Sequence, residues 1–288
     1  MDRIGILQLT QNLDDAVRGF KAGLAADGRS AVFEYRNADG NAALLPKLAH
    51  DLLARGVDLI FACSTPAAQA AIALPAAVPV VYTPVFDPVG AGLAATMYRP
   101  GGKATGMAGM VPAAAKVAFI RRLLPQARNI ALLYHEGDAN SRLEAANFKA
   151  AAGDYRLSEL PLARPEDLSA LGENLPPATD VLVIPIGRVV EENFATIAYY
   201  AELAAVPIIA ANAGNVAAGA LGALVADHYK LGVACADQAI QILGGGDPGS
   251  IPVGIVNNPD ILLNRAAAAD LGIVLDSDLL AAAREIFE

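Results

Sequence analysis

Residues 58–87 read DLIFACSTPAAQAAIALPAAVPVVYTPVFD, and between Asp58 and Asp87 there is no charged side chain. Such a run either crosses a membrane or is buried inside a protein. Pro66, Pro75, Pro79 and Pro84 would break a spanning helix repeatedly, and the apolar runs between them fall short of the ~20 residues a bilayer requires. The stretch is therefore read as buried. Residues 59–63 form a short β-rich run, and Ser64, Thr65 and Pro66 offer a capping hydroxyl with proline at the first helical position. Residues 67–74 are predicted helical, Pro75 ends them, and 78–82 make the next strand. A parallel strand covered on both faces has this unbroken apolar character, and its crossover helix needs small residues to lie against the sheet. The stretch is thus a βαβ unit.

Ser64, Thr65, Thr83, Phe86 and Asp87 are left at the strand ends. In open α/β sheets ligands bind beyond the carboxyl ends of strands, and the first turn of a helix presents free N–H groups with partial positive charge. Thr65 and the amides after it are a candidate seat for an anion or carboxylate. The same Ser/Thr-Pro pattern is also ordinary capping chemistry, and the residues alone leave both open.

Upstream, residues 4–9 run apolar, Thr10, Gln11 and Asn12 follow, and Leu13, Val17, Phe20 and Leu24 then share one helical face. Residues 31–35 are a second strand and 44–53 a second helix. This strict alternation predicts a doubly wound parallel sheet. Downstream, Asp87-Pro88 predicts a cap and a short helix of small residues, and Arg99-Pro100-Gly101-Gly102-Lys103 is a dense turn signal. Residues 104–110 leave room for one edge strand and then a crossing.

From residue 111 the alternation restarts: helix 111–124, strand 130–134, helix 139–151, strand 155–160, helix 166–171, strand 181–184, helix 189–203 and strand 207–210. Lys116 is read as a surface position of the first of these helices. A strand at 220–225 and a helix at 229–243 follow, then strand material at 251–256 and 261–263 before two short helices. The pattern predicts two Rossmann-like α/β lobes with parallel-dominated sheets. They are placed at residues 1–111 with about 227–255, and 112–226 with about 256–288.

The chain has 288 residues, 55% of them apolar, and a net charge of −9 without any lysine or arginine cluster. That balance argues against nucleic acid and anionic membrane as partners. Cys63 and Cys235 cannot build a disulfide framework and lack metal-site spacing, so neither a metal nor a cofactor is expected. The first strand begins by Ile4, which leaves no room for a leader. That suits a cytoplasmic protein, or an exported one whose leader is not part of this sequence.

TPAAQAA at 65–71, DPVGAGL at 87–93, PGG at 100–102 with TG at 105–106, LLP at 123–125 and ALLYHEGDANS at 131–141 occur in this order. With GALGAL at 219–224 and YKLG at 229–232, they resemble the ABC-transporter substrate-binding proteins of the tryptophan/tyrosine-type group. The resemblance implies a periplasmic-binding-protein type I fold whose lobes close about a hinge on a small molecule. It further implies delivery to an ABC permease, a monomer, a periplasmic or extracytoplasmic location with the leader removed, and no catalysis. Family ligands are often aromatic or other amino acids.

On matching positions the resemblance implies that Gln8 and Thr10 end the first strand, that Ser64 and Thr65 hold a carboxylate, and that Thr83, Phe86 and Asp87 line the first lobe's wall. Glu136, Asn140 and Ser141 would close from the second lobe, although Asp87, Asn140 and Ser141 also suit helix caps. Where similar proteins carry acidic residues, this chain has Ile186-Gly187-Arg188 and Asn212. An ammonium group buried without carboxylate partners is costly, which shifts the expected ligand away from a simple zwitterion. Arg188 either pairs with a second ligand carboxylate or is solvated at a helix start.

Two other functions share the fold class. Ala62-Cys63-Ser64-Thr65 resembles the Cys-Asn-Thr of cofactor-independent amino-acid racemases, which need one thiolate to take a proton and one thiol to return it. Cys235 falls inside a helix rather than at a strand end. A ligand-sensing domain of a regulator is the second alternative, with a net charge unsuited to DNA.

Overall fold

The computed structural model describes residues 1–288. In chain order the elements are β1 (Asp2–Gln8), α1 (Asp14–Ala26), β2 (Ala31–Asn37), α2 (Leu45–Ala54), β3 (Leu59–Cys63), α3 (Thr65–Ile72), β4 (Val80–Val85) and β5 (Ala104–Ala108). There follow α4 (Ala113–Leu123), β6 (Asn129–His135), α5 (Ala139–Ala151), β7 (Arg156–Leu162), α6 (Leu171–Asn174), β8 (Val181–Val183), α7 (Arg188–Glu192) and α8 (Phe194–Leu203). The last are β9 (Ile208–Ala210), α9 (Ala213–Ala217), β10 (Gly222–Val225), α10 (His228–Leu243), β11 (Asp260–Asn264), α11 (Arg265–Asp270), α12 (Ser277–Ala282) and β12 (Ala283–Phe287).

The chain divides into two compact units, residues 1–110 with 226–256 and residues 111–225 with 257–288. The first holds a five-stranded sheet in the order β2-β1-β3-β4-β5, every neighbouring pair parallel. All five residues of β3 are buried, as its unbroken apolar sequence requires. On one face Phe20 of α1 stacks on Phe61 of β3 with ring centroids 4.0 Å apart. α10 returns to this unit and lies directly on α1, an approach that only glycine permits. A Cβ on Gly19 would stand 2.0 Å from the Tyr229 carbonyl oxygen, and one on Gly232 would stand 2.0 Å from that of Ala16. Gln238 of α10 donates to the carbonyls of Gly106 and Pro252 at 3.0 and 3.1 Å, joining the returning segment to β5.

The second unit holds a seven-stranded sheet in the order β12-β11-β10-β9-β8-β6-β7, parallel except between β10 and β11. Its core gathers Leu133, Leu171, Leu182, Ile184, Val190, Ile197 and Leu262. No helix is long and apolar enough to cross a membrane.

Several expected elements differ. After Asp87 there is no helix: the Gly90 amide donates to Asp87 Oδ1 at 2.8 Å and the chain turns, because Gly90 and Gly92 weaken any helix started there. The predicted helix 189–203 is two helices parted at Asn193, whose side-chain amide donates to the Val189 carbonyl at 2.8 Å. The predicted helix 166–171 is a 3-10 turn, Pro165–Ala170, leading into α6. Residues 251–256 form no strand beyond a single bridge from Gly254 to Met107, and the chain's last residues form β12.

Candidate functional site

In the first unit the strand register aligns polar residues at the carboxyl ends of the sheet. Gln8 of β1 is paired with Asn37 of β2 and with Cys63 of β3, and Cys63 with Thr83 of β4. Gln8 is fully buried, and its amide nitrogen donates to Asp14 Oδ1 at 3.2 Å while its oxygen accepts from the Tyr35 hydroxyl. Burial, then the Asp14 carboxylate, raises the Tyr35 phenol above its ordinary range. Tyr35, Asp14 and Asn37 were not anticipated from sequence. Tyr35 ended a predicted strand, so an aromatic hydroxyl at a strand tip was the available signal.

Ser64 is the cap of α3, its hydroxyl accepting from the Ala67 amide at 3.4 Å. It holds φ at 103°, a region L-residues rarely adopt, at the bend where β3 gives way to α3. Because Ser64 provides the cap, Thr65 becomes the first helical residue and its hydroxyl is uncommitted. Thr83 is fully buried, its carbonyl accepting from the Ser64 amide at 3.2 Å, and a cis peptide joins it to Pro84. Phe86 and Asp87 follow, half-buried. Thr10 is half-buried and precedes a short 3-10 turn without capping it.

In the second unit Asp138, not Asn140 or Ser141, caps α5: its Oδ1 accepts from both their amides, at 2.8 and 3.1 Å. Asp138→Ala is expected to cost about 1 kcal/mol in thermal unfolding, the usual worth of such a cap. Ser141 is fully buried, and its hydroxyl accepts from the His135 amide at 3.1 Å, tying α5 to the end of β6. Glu136 and Asn140 are exposed. After β8, the Ile186 amide donates to Glu144 Oε2 at 3.0 Å and the Gly187 amide to Glu191 Oε1 at 3.2 Å. Asn212 caps α9, accepting from the Asn215 amide at 2.8 Å. Arg188 stands apart from these buried contacts: its side chain is 79% exposed and pairs with Glu192 one turn on, at 3.4 Å.

Lys116 is a correction. Far from being on a helix surface, it is buried and ion-paired with Glu144. Burial pushes its ammonium group down to about 8. The spacing held the signal, because Lys116 lies four residues before Ile120 and seven before Leu123, on the stripe that α4 buries.

Cys63 and Cys235 are both buried, and burial drives both thiols well above the ordinary range. A thiolate that cannot form at neutral pH is a poor base or nucleophile. No cluster of His, Cys, Asp and Glu side chains is arranged to hold a metal ion.

The profile of the family described as ABC transporter substrate binding protein matches residues 3–287. A tyrosine-binding protein of Clostridioides difficile (strain R20291) is 29% identical over 270 residues, covering 91% of this chain and 78% of that one. Among solved structures, a ligand-free, open substrate binding protein with adhesive properties from Clostridium difficile superposes with a TM-score of 0.91. It is 27% identical and covers 100% of this chain and 99% of its own. A domain from Streptococcus pneumonia in complex with L-Trp gives 0.75 at 27% identity over 99% of each chain.

Proposed function

This chain belongs to the ABC transporter substrate-binding protein family, and from that premise we propose that it captures an aromatic amino acid or aromatic acid by its carboxylate for import. The observation that carries the reading is the seat at the start of α3. Ser64 takes the capping role and leaves the Thr65 hydroxyl and the helix's first turn to an incoming anion, beside the row of Gln8, Cys63 and Thr83. The aromatic part of the proposal draws on the relatives that bind tyrosine and L-Trp. The protein works outside the cytoplasm, hands its ligand to a membrane permease and performs no chemistry, in keeping with two thiols too deeply buried to ionise.

A helix N-terminus favours an anion, so the carboxylate of the ligand matters more here than its amino group. Calorimetric titration with L-tyrosine, L-tryptophan, 3-(4-hydroxyphenyl)propionate, indole-3-propionate, tyramine and tryptamine separates the two. The deaminated acids are expected to bind within about threefold of the amino acids, and the amines at least 100-fold more weakly, about 2.7 kcal/mol. Amines that bind as tightly as the acids would exclude a carboxylate seat.

A further inference from the structure

The five-stranded sheet of the first unit ends at β2, and no strand pairs with its outer side. Proteins blunt such an edge with proline, lysine, a bulge or a covering segment. The other sheet edges follow that rule: β5 is bridged through Met107 to Gly254, β7 contains Pro161, and the pairing of β12 with β11 shifts register. β2 does not. It reads AVFEYRN over Ala31–Asn37, without proline or lysine, and its register on β1 is unbroken along all seven residues. Val32 and Tyr35 are each 41% exposed. Backbone N–H and C=O groups of successive residues point to opposite sides of a strand. The Ala38 amide donates to the Gln8 carbonyl of β1 at 3.0 Å, so even-numbered residues face β1 while Phe33, Tyr35 and Asn37 face outward. In keeping with this, the Tyr35 carbonyl accepts from the Arg36 guanidinium at 2.6 Å.

We propose that β2 is the docking edge for a second copy of this chain, the two β2 strands pairing antiparallel about a twofold axis at Tyr35. Only outward-facing residues can exchange main-chain hydrogen bonds across the joint, so Tyr35 pairs with Tyr35 of the second copy and Phe33 with Asn37. In that register Glu34 stands directly opposite Arg36 of the second copy, and Arg36 opposite its Glu34, at the non-hydrogen-bonded positions where side chains approach most closely. A register centred on Glu34 would set glutamate against glutamate, and one centred on Arg36 arginine against arginine. Charge therefore selects Tyr35 as the centre. Within each chain Arg36 bonds Asp51 and Arg55 bonds Glu34, at 2.5 and 3.2 Å, which fixes both side chains along the edge before a second copy arrives. The contact is isologous, so it closes at two copies. It departs from the monomer that the family resemblance implies, and it does not depend on the ligand.

Sedimentation velocity of the full chain from about 1 to about 300 µM is expected to show a reversible dimer, in the micromolar range open to small interfaces. At the high end, amide exchange should slow at least threefold at Phe33, Tyr35 and Asn37 relative to dilute protein, and stay unchanged at Glu34 and Arg36, which β1 already protects. Glu34→Arg would set arginine against arginine across the joint, and Arg36→Glu glutamate against glutamate, so each variant alone is expected to weaken the dimer at least tenfold. An equimolar mixture of the two variants brings opposite charges together again at both positions, and the mixed dimer is expected to form within threefold of the parent's Kd. Misfolded chains could not recover association by mixing, so the mixture separates lost folding from lost charge pairing. A parent that stays monomeric throughout the range overturns the proposal, and leaves the edge to a different chain. A dimer whose Phe33, Tyr35 and Asn37 amides exchange as in dilute protein overturns it too, because another surface then joins the copies. A mixture of folded variants that associates no better than either alone overturns the register centred on Tyr35.

Discussion

Lys116→Met alone is expected to lower the stability of the second unit by about 3–5 kcal/mol, far more than the double replacement of Lys116 and Glu144. The single change leaves the Glu144 carboxylate 4% exposed with only the Ile186 amide to stabilise it. A charge so placed has lost both water and counter-charge, and the lost attraction exceeds anything that methionine's better packing returns. At ~2–4 °C per kcal/mol for a unit of this size, the melting temperature should fall by about 6–20 °C in scanning calorimetry. A single variant costing under ~1 kcal/mol would mean that water reaches the pair.

The architecture was legible because it depends on a pattern repeated along the chain. Buried parallel strands such as Leu59–Cys63 have no polar side to present, and Pro75 and Pro125 punctuate the helices between strands. What escaped was decided by single side chains acting against the pattern. Asn193 interrupts an apolar run by bonding its own backbone, and Asn212 starts α9 in a stretch too short to show helical periodicity. The run Ala283–Phe287 follows a helix without a breaker and becomes a strand only because β11 supplies a partner. Lys116 shows the limit most sharply: its position followed from spacing, but its charge argued for water, and only the matching Glu144, 28 positions later and on the buried stripe of α5, reverses that.

The candidate site divides in the same way. Strand ends are predictable from the strands, so Thr83 and the Ser64-Thr65 corner could be placed on the tips before any geometry was known, whereas Gln8 came from the resemblance. Which of two adjacent hydroxyls caps a helix is not so predictable from sequence. The bond from the Ala67 amide to Ser64 Oγ makes Ser64 the cap and leaves the Thr65 hydroxyl uncommitted. Asp138 poses the same problem in the second unit. It stands two residues before Asn140, and its carboxylate makes the stronger cap, so Asn140 and Ser141 keep their side chains for other partners.

Gly232→Ala is the second large effect, and here two principles predict opposite signs. Position 232 lies within α10, where alanine is intrinsically favoured over glycine by about 1 kcal/mol, so helix propensity alone predicts a more stable protein. Packing predicts the reverse. The new methyl group would stand 2.0 Å from the Ala16 carbonyl oxygen and 2.8 Å from the Phe20 amide nitrogen, both backbone atoms that no rotamer change can move. α1 and α10 would have to separate, and the reciprocal contact of Gly19 with Tyr229 would open with them. Overpacking of this kind costs about 1–3 kcal/mol and more where the obstacle is backbone, so a net loss of about 3 kcal/mol, or ~6–12 °C in melting temperature, is expected. Gly102→Ala, where a Cβ meets nothing within 4 Å, should change stability by no more than about 0.5 kcal/mol. The displaced helix also bears on the site, because Cys235, three residues further along α10, donates to the Tyr82 carbonyl at 3.5 Å, and the next residue of that strand is Thr83. A Gly232→Ala protein that melts higher than the parent would show that propensity outweighs the clash, and that α10 does not lie against α1 at this distance.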